Sequence, residues 1–195
     1  MSTLNDMLKS VRAHLPVEKV AYPTISDYTK QGADLLENFK KNLTIANGKW
    51  YEVSSVEEAQ DIMKQNLPEA NVICSAASEW IGNKAIEDVA RPQDLDDVDL
   101  GVARAEFGVA EMGMVWLTEK SLKINVLAFL SQHMAILLDP SDLTENMHTA
   151  YKRVHLDHTN YGCFVMGPSA TADIGAYLVK GAQGARSLTV FFLKK

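Results

Sequence analysis

The feature that most constrains the fold of this 195-residue sequence is a strand–helix–strand pattern in its first half. Residues 50–53 read as a short strand, and Ser55 with Glu58 three positions later is a capping-box pattern that predicts a helix over residues 56–66. Pro68 ends this helix, and the apolar run after it reads as another strand. Because a crossover helix between two strands is typical of a parallel sheet, the pattern predicts an α/β fold.

Other elements follow from apolar patterning along the rest of the chain. Ser26 and Asp27 open a predicted helix that closes at Asn47, and Ser141 or Asp142 caps a later one. Strands are predicted over residues 71–74, 98–102, 114–117, 134–138, 161–166 and 187–193.

The N-terminus has the pattern of an amphipathic helix over residues 3–15. Its apolar positions are Leu4, Met7, Leu8, Val11 and Leu15. A helix this short must dock on its own domain or on a partner. We therefore predict an N-terminal helix with its linker over residues 1–25 and a single α/β domain over residues 26–195.

Charge and composition exclude several classes of protein. The formal net charge is -6 without a basic block, which argues against general nucleic-acid binding. No apolar run approaches the roughly 20 residues of a membrane-spanning helix. The charged side chains near the N-terminus argue against a signal peptide, so we expect a cytoplasmic protein. The two cysteines, Cys74 and Cys163, are too few for the four thiolates of an ordinary iron–sulfur cluster.

The C-terminal stretch contains a candidate anion site. A strand stops at Gly167 and Pro168, and Ser169 is placed to cap a predicted helix. Such a junction leaves backbone N–H groups free to bind a phosphate or carboxylate, with Thr171 and Asp173 beside it. In the alternative interpretation, Ser169 and Thr171 only cap the helix.

A glycine-paired loop, residues 181–185, ends the predicted helix and precedes the last strand. In one interpretation, Gly181 and Gly184 only allow the backbone a positive φ. In the other, this loop lies beside the Gly167 turn. The second arrangement requires both loops at the same rim of the sheet.

A second candidate region spans residues 101–113. Glu106 and Glu111 follow small or apolar residues, and a carboxylate in apolar surroundings suits acid–base catalysis. A helix would separate the two side chains, whereas a turn would bring them together. Both a catalytic and a structural role stay open for Glu106. For Glu111 the structural alternative is a carboxylate that accepts backbone N–H bonds in a tight turn before Gly113.

Neither a metal site nor a common catalytic motif is predicted. His148, His155 and His158 lie near one another in the sequence. Their spacing does not provide a convincing third ligand for a metal ion, so we expect a surface patch. The sequence contains no dinucleotide-binding, phosphate-loop or serine-hydrolase motif.

These motifs together resemble the LUD domain family, whose members include the lactate-utilisation C-type subunits. The resemblance rests on Gly167-Pro168-Ser169-Ala170-Thr171-Ala172-Asp173-Ile174, and on the upstream run from Gly101 to Gly113 that contains Arg104, Glu106 and Glu111. It covers about residues 55–195. The sequence departs from the family pattern at Met112, Gly175 and the run Gln183-Gly184-Ala185.

The resemblance implies a three-layer α/β/α domain with a mostly parallel sheet, similar to sugar-phosphate isomerases and CoA transferases. It also implies a role in oxidising L-lactate to pyruvate beside iron–sulfur subunits, with no cofactor in this chain. The first hypothesis is thus a non-redox subunit of that complex, which binds an anionic ligand or a partner. The candidate ligand-binding residues are Arg104, Gly167, Pro168, Ser169, Thr171, Asp173, Gly181 and Gly184.

Two alternatives accompany this hypothesis. One is a stand-alone isomerase or acyl- or CoA-transfer enzyme that uses Glu106 or Glu111 as base or nucleophile. The other is a homodimeric scaffold held together by the N-terminal helix.

Overall fold

A five-stranded parallel sheet forms the centre of the fold. The structure, a computed structural model, describes residues 3–15, 21–30, 32–155 and 159–195. The strands in these residues are β1 (Lys49–Glu52), β2 (Ile73–Ser75), β3 (Leu100–Arg104), β4 (Phe107–Val109), β5 (Met114–Thr118), β6 (His133–Leu138), β7 (Leu143–Thr144), β8 (Gly162–Val165), β9 (Ala170–Thr171), β10 (Val179–Lys180) and β11 (Ser187–Phe192). The helices are α1 (Leu4–Ala13), α2 (Leu35–Ile45), α3 (Val56–Asn66), α4 (Glu119–Leu122), α5 (Leu127–Leu130) and α6 (Met147–Tyr151).

The central sheet has the strand order β1-β11-β6-β3-β2, and all neighbouring pairs are parallel. The crossover between β1 and β2 contains α3, capped by the Ser55 side chain as the sequence predicts. The two strands that this crossover connects, β1 and β2, lie at opposite edges of the sheet and not side by side. The mixed α/β class with a mostly parallel central sheet is confirmed.

Alternation along the strands of the central sheet places an apolar core on each of its faces. In β6, for example, Met134 and Ile136 pack in one core and Ala135 and Leu137 in the other. The second core is covered by α3. The first is covered by α2 together with a second sheet of order β7-β4-β5-β8, which the sequence did not predict.

Two predicted helices begin later than the sequence indicated. Instead of opening at Ser26, α2 begins at Leu35, where the Asp34 side chain accepts the Glu37 N–H at 3.1 Å. Tyr28 has a φ of 51°, which interrupts a right-handed helix. The helix predicted after Ser141 begins only at Met147, capped by Asn146, because the residues before it form a 3₁₀ turn and β7.

The helix predicted after Ser169 is absent, and this prediction was wrong. The chain forms a β-hairpin there, in which β9 and β10 pair antiparallel. Gly175 and Ala176 at its tip have φ values of 71° and 61°. A helix would have carried Gly175 in its interior at a cost of about 1 kcal/mol relative to alanine. β-branched and aromatic side chains in the flanking segments favour the strand instead.

The N-terminal helix is present as α1, with a capping box between Thr3 and Asp6. None of its residues is buried. Part of the predicted linker, residues 16–20, lies outside the described residues. None of the described helices has the length and apolar character needed to cross a membrane.

Candidate functional site

The carboxyl ends of the parallel strands meet at one edge of the central sheet, which is where open α/β sheets bind their ligands. A cleft of about 300 Å³ lies at this edge, and we call it the carboxyl-edge cleft. It is formed by the loop after β2, the end of β3, the start of α4 and the end of the chain. Its lining residues are Ala76, Ala77, Ser78, Glu79, Arg104, Ala105, Glu106, Lys120, Ser121 and Lys195.

Arg104 is the last residue of β3 and is held in place by two contacts. Its guanidinium forms an ion pair with Glu79, and Nη1 donates to the Leu193 carbonyl at 3.2 Å. Partial burial would raise the pKa of Glu79, but the hydrogen bond and charge of Arg104 outweigh this effect and lower the pKa below its ordinary value. Arg104 is therefore orientated in the cleft by a carboxylate that stays ionised.

Glu106 lies in the same cleft, at the junction between β3 and β4. Its Oε1 accepts a hydrogen bond of 2.6 Å from the hydroxyl of the buried Thr118. The Glu106 side chain is exposed, so it lacks the apolar surroundings that the sequence suggested. The hydrogen bond orients the exposed carboxylate in the cleft.

Two lysines join Arg104 in the cleft. Lys120 is exposed, and within the described ranges its ammonium has no hydrogen-bond or ion-pair partner. Lys195 donates its backbone N–H to Asp139 at 2.8 Å and its ammonium to Asp142 at 2.7 Å. Three cationic side chains thus line the cleft with two carboxylates, and Asp142 pairs with the Lys195 ammonium, so Lys120 is the cation without a carboxylate partner among the described residues. The arrangement suits a small anion.

Several cleft residues were not among those selected from the sequence, namely Glu79, Lys120, Ser121 and Lys195. They lie in three separate segments, and strand order brings them together. The small polar run that follows β2 was the available signal, because the loop after a parallel strand lies at the ligand-binding edge.

The Gly167 turn lies elsewhere, at the other end of the strands. Gly167, Pro168, Ser169 and Gly184 line a separate pocket of about 290 Å³ together with Leu188, which pairs with Met134 near the amino ends of β11 and β6. The structure therefore brings the two glycine loops together, but apart from Arg104 and Glu106.

Two backbone N–H groups around this turn already have acceptors within the chain. The Ser169 N–H donates to the Ala185 carbonyl at 2.8 Å, and the Gly181 N–H to the Ser169 carbonyl at 3.0 Å. The Ser169 hydroxyl accepts the Gln183 N–H at 3.3 Å instead of capping a helix. With the helix absent, the helix N-terminus that supported the predicted anion site is absent as well, and ligand binding at this turn stays a prediction.

Thr171 and Asp173 lie on the hairpin, where the Asp173 N–H donates to the Thr171 hydroxyl at 3.3 Å. Neither residue lines the Gly167 pocket or the carboxyl-edge cleft. Their contacts shape the start of the hairpin turn.

Glu111 is separated from Glu106 by β4, a strand where the sequence left a helix or a turn open. The three extended residues of β4 alone span roughly 10 Å. Glu111 Oε2 accepts the Met147 N–H at 3.0 Å, at the start of α6. It also lines a cavity of about 510 Å³ with Tyr28 and Glu145. Its carboxylate does accept a backbone N–H bond, but from another element and not from its own turn.

The histidine prediction is only partly covered by the structure. His148 and His155 are exposed, and His158 lies outside the described residues. Within the described ranges, no group of three or more His, Cys, Asp and Glu side chains is arranged to hold a metal ion. Cys74 and Cys163 are free thiols, and burial raises the pKa of both.

The sequence model of the LUD domain matches residues 82–193, more than half of the chain. The chain belongs to the LUD domain family. The match includes Arg104, Glu106 and Lys120, whereas Glu79 and Lys195 lie just outside it.

Two known proteins extend the comparison. This LUD domain chain is 28% identical over 100 residues to the lactate utilization protein C of Oceanobacillus iheyensis, a match that covers 48% of this chain and 43% of the relative. The chain thus matches less than half of that relative's length. A crystal structure of a DUF162 family protein from Deinococcus radiodurans superimposes with a TM-score of 0.59 at 12% identity, covering 85% of this chain and 99% of the other. That likeness shows the fold.

Proposed function

We propose that the carboxyl-edge cleft binds the carboxylate of a small organic acid, and that the chain serves lactate utilisation as a subunit without a redox centre. The observation that carries the proposal is the grouping of Arg104, Lys120 and Lys195 around one cleft in an acidic protein. Charge-assisted hydrogen bonds to a carboxylate are stronger than neutral ones. The name of the lactate utilization protein C relative supports lactate, or its oxidation product pyruvate, as the ligand class.

The proposal includes iron–sulfur subunits as partners. Oxidation of lactate to pyruvate releases two electrons, and a chain with two cysteines cannot supply the four thiolates of an ordinary cluster. Clusters in partner subunits would accept these electrons and solvent the two protons released with them, while this chain binds the acid. Assembly takes place in the cytoplasm in this proposal.

Binding is tested by titrating the purified chain with L-lactate and with pyruvate in a calorimeter at low salt. Lys120→Met removes the ammonium that has no partner among the described residues, and it leaves the Arg104–Glu79 pair intact. A hydrogen bond to a charged group contributes about 1.5–3 kcal/mol, so we expect at least about a tenfold loss of affinity.

Lys41→Met is the matched control, because Lys41 is also an exposed lysine but lies on α2, away from the cleft. Its affinity for both acids should equal that of the wild type. Absence of binding to either acid, or equal affinities in the Lys120 variant and the wild type, contradicts the proposed site.

The proposed association with iron–sulfur subunits is tested separately. The tagged chain is purified from its native cells grown on lactate, and the eluate is assayed for iron and labile sulfide. Recovery of an iron–sulfur protein supports the complex. Recovery of none on any carbon source argues against it, independently of the binding result.

A second candidate function is a stand-alone acyl- or CoA-transfer or isomerase activity that uses Glu106. The observation in its favour is an exposed carboxylate, orientated by Thr118, in the same cleft as Arg104. Turnover of CoA esters or sugar phosphates by the purified chain, abolished by Glu106→Gln, would establish it. Glu111→Gln serves as the control, because Glu111 lies in a different cavity.

A further inference from the structure

Glu106 is a carboxylate in a cleft whose proposed ligand is itself an anion. The other carboxylate of the cleft, Glu79, forms an ion pair with Arg104, whereas Glu106 has no ion-pair partner among the described residues. An unpaired carboxylate repels an acid that binds beside it. The cleft therefore favours an acid that carries a further group able to offset this repulsion.

Arg104 and Glu106 lie on the same side of the chain. Between them, Ala105 is only 2% exposed and packs in the apolar core, while the side chains of its two neighbours line the cleft. This alternation is that of an extended chain, in which residues two positions apart point to the same side and lie roughly 7 Å apart. A small acid that makes a hydrogen bond of about 2.9 Å at each end fits between two groups at this separation.

Thr118 holds the Glu106 carboxylate in place. The Thr118 hydroxyl is buried, accepts the Ser121 N–H at 3.5 Å and donates its single proton to Glu106 Oε1 at 2.6 Å. An ionised carboxylate only accepts hydrogen bonds, and it has about four lone-pair sites. One donor from the protein therefore leaves Glu106 with the capacity to accept a hydrogen bond from a ligand.

The cationic groups of the cleft have the opposite character. The Arg104 guanidinium and the Lys120 ammonium only donate hydrogen bonds, and both line the cleft together with Glu106. A ligand that matches this set has a carboxylate to accept from the cations and, on the adjacent carbon, a donor for Glu106. A 2-hydroxy acid has both groups, whereas a 2-oxo acid presents only a further acceptor.

We propose that Glu106 makes the carboxyl-edge cleft selective for 2-hydroxy acids over 2-oxo acids, by accepting the hydrogen of the 2-hydroxyl group. The selectivity rests on the acid binding proposed above, and it assigns lactate instead of pyruvate as the preferred ligand of that site. A 2-oxo oxygen would leave Glu106 without a donor and place two acceptors against each other. In lactate oxidation the cleft would then hold the reactant and release the product.

Titration calorimetry with L-lactate, pyruvate and propionate tests this selectivity. The three acids have the same chain length and charge, and they differ only at the second carbon, which bears a hydroxyl group, an oxo group or hydrogen alone. Hydrogen bonds to charged groups are stronger than neutral ones, so L-lactate should bind the wild type at least about tenfold more tightly than pyruvate.

Glu106→Gln is the decisive variant. The exposed carboxylate is replaced by an amide of the same shape, which both accepts and donates hydrogen bonds. Because the amide can donate to a 2-oxo oxygen, the affinities for L-lactate and pyruvate should become about equal. Loss of a negative charge strengthens the binding of every acid, so the measurement that decides is the ratio of the two affinities. A merely structural role of Glu106 would change all three affinities together and leave the ratio unchanged.

Two control variants separate selectivity from binding. Lys120→Met should weaken the binding of all three acids by a similar factor and keep the ratio. Glu111→Gln is the matched substitution in a different cavity and should keep both the affinities and the ratio. Equal affinities of the wild type for L-lactate and pyruvate, or a ratio that persists in the Glu106 variant, would overturn the selectivity while the acid-binding site stands. Absence of binding of all three acids would overturn the site itself and the selectivity with it.

Discussion

Asp139 connects the stability of the fold to pH. It follows β6 at the carboxyl edge of the sheet and is only 7% exposed. Its carboxylate accepts hydrogen bonds from the Lys195 N–H at 2.8 Å, the Ser141 hydroxyl at 2.7 Å and the Ser141 N–H at 2.9 Å. These bonds stabilise the charged form and lower the pKa of Asp139 from 3.8 to about 2.

The magnitude follows from this lowering. One pKa unit corresponds to about 1.4 kcal/mol, so the lowering of the Asp139 pKa from 3.8 to about 2 contributes about 2 kcal/mol to the free energy of unfolding. Since the folded-state pKa is depressed, the contribution is complete well above the unfolded value of 3.8 and is lost as pH falls through the folded value. Asp139→Asn should therefore cost about 2 kcal/mol at neutral pH and almost nothing near pH 2.

The assay is equilibrium urea unfolding of both proteins, followed by tryptophan fluorescence from pH 7 downward. The stability difference should stay near about 2 kcal/mol above roughly pH 5 and fall to about half near pH 3. Asp88→Asn is the control, an exposed aspartate for which we expect a change within about 0.5 kcal/mol. A difference between wild type and Asp139→Asn that does not vary with pH would refute the reasoning, because it would arise from packing and not from proton linkage.

Three further predictions concern local features. Gly113→Ala should cost more than about 2 kcal/mol of unfolding free energy, since the φ of Gly113 is 63° and a Cβ would lie 2.2 Å from the Leu43 backbone nitrogen. Gly175 has a similar φ of 71° but lies in open space, so Gly175→Ala should cost only about 1 kcal/mol. Equal costs of the two substitutions in urea unfolding would contradict this. Ser55→Ala removes the cap of α3 and should cost about 1 kcal/mol, and an unchanged thermal midpoint would show that the cap contributes nothing. Burial raises the pKa values of the buried Cys74 and the half-buried Cys163, so both should react slowly with a disulfide reagent at pH 7 in the folded chain and fully in urea. Rapid reaction of both thiols in the folded chain would contradict this.

Local sequence patterns were reliable where neighbouring residues alone determine the structure. The capping box at Ser55 places α3, and alternating apolar residues place β6 and β11. The motifs around Arg104 and Gly167 also identify the LUD domain family. Each of these signals is contained within a few consecutive residues, so it needs no tertiary information.

The hairpin after Ser169 shows where local patterns fail. Ala170, Ile174, Tyr177 and Leu178 have helical spacing, yet the chain pairs with itself as β9 and β10. Pairing of Ser169 with Ala185 and Gly181, together with left-handed residues at the tip, decides between the two structures. The spacing of apolar residues shows that a helix here could have an apolar face. The conformation that forms is determined by hydrogen-bond partners farther along the chain.

The sequence by itself determined the α/β class, the capped crossover helix, the family and the amphipathic N-terminal helix, because periodicity, caps and motifs are local properties. Only the tertiary structure decided which charged side chains lie together. Strand order brings Glu79, Arg104, Lys120 and Lys195 to one cleft, and β4 keeps Glu111 away from Glu106. The physical reason is that a parallel sheet gathers the ends of strands distant in sequence, and no local pattern records which strands become neighbours.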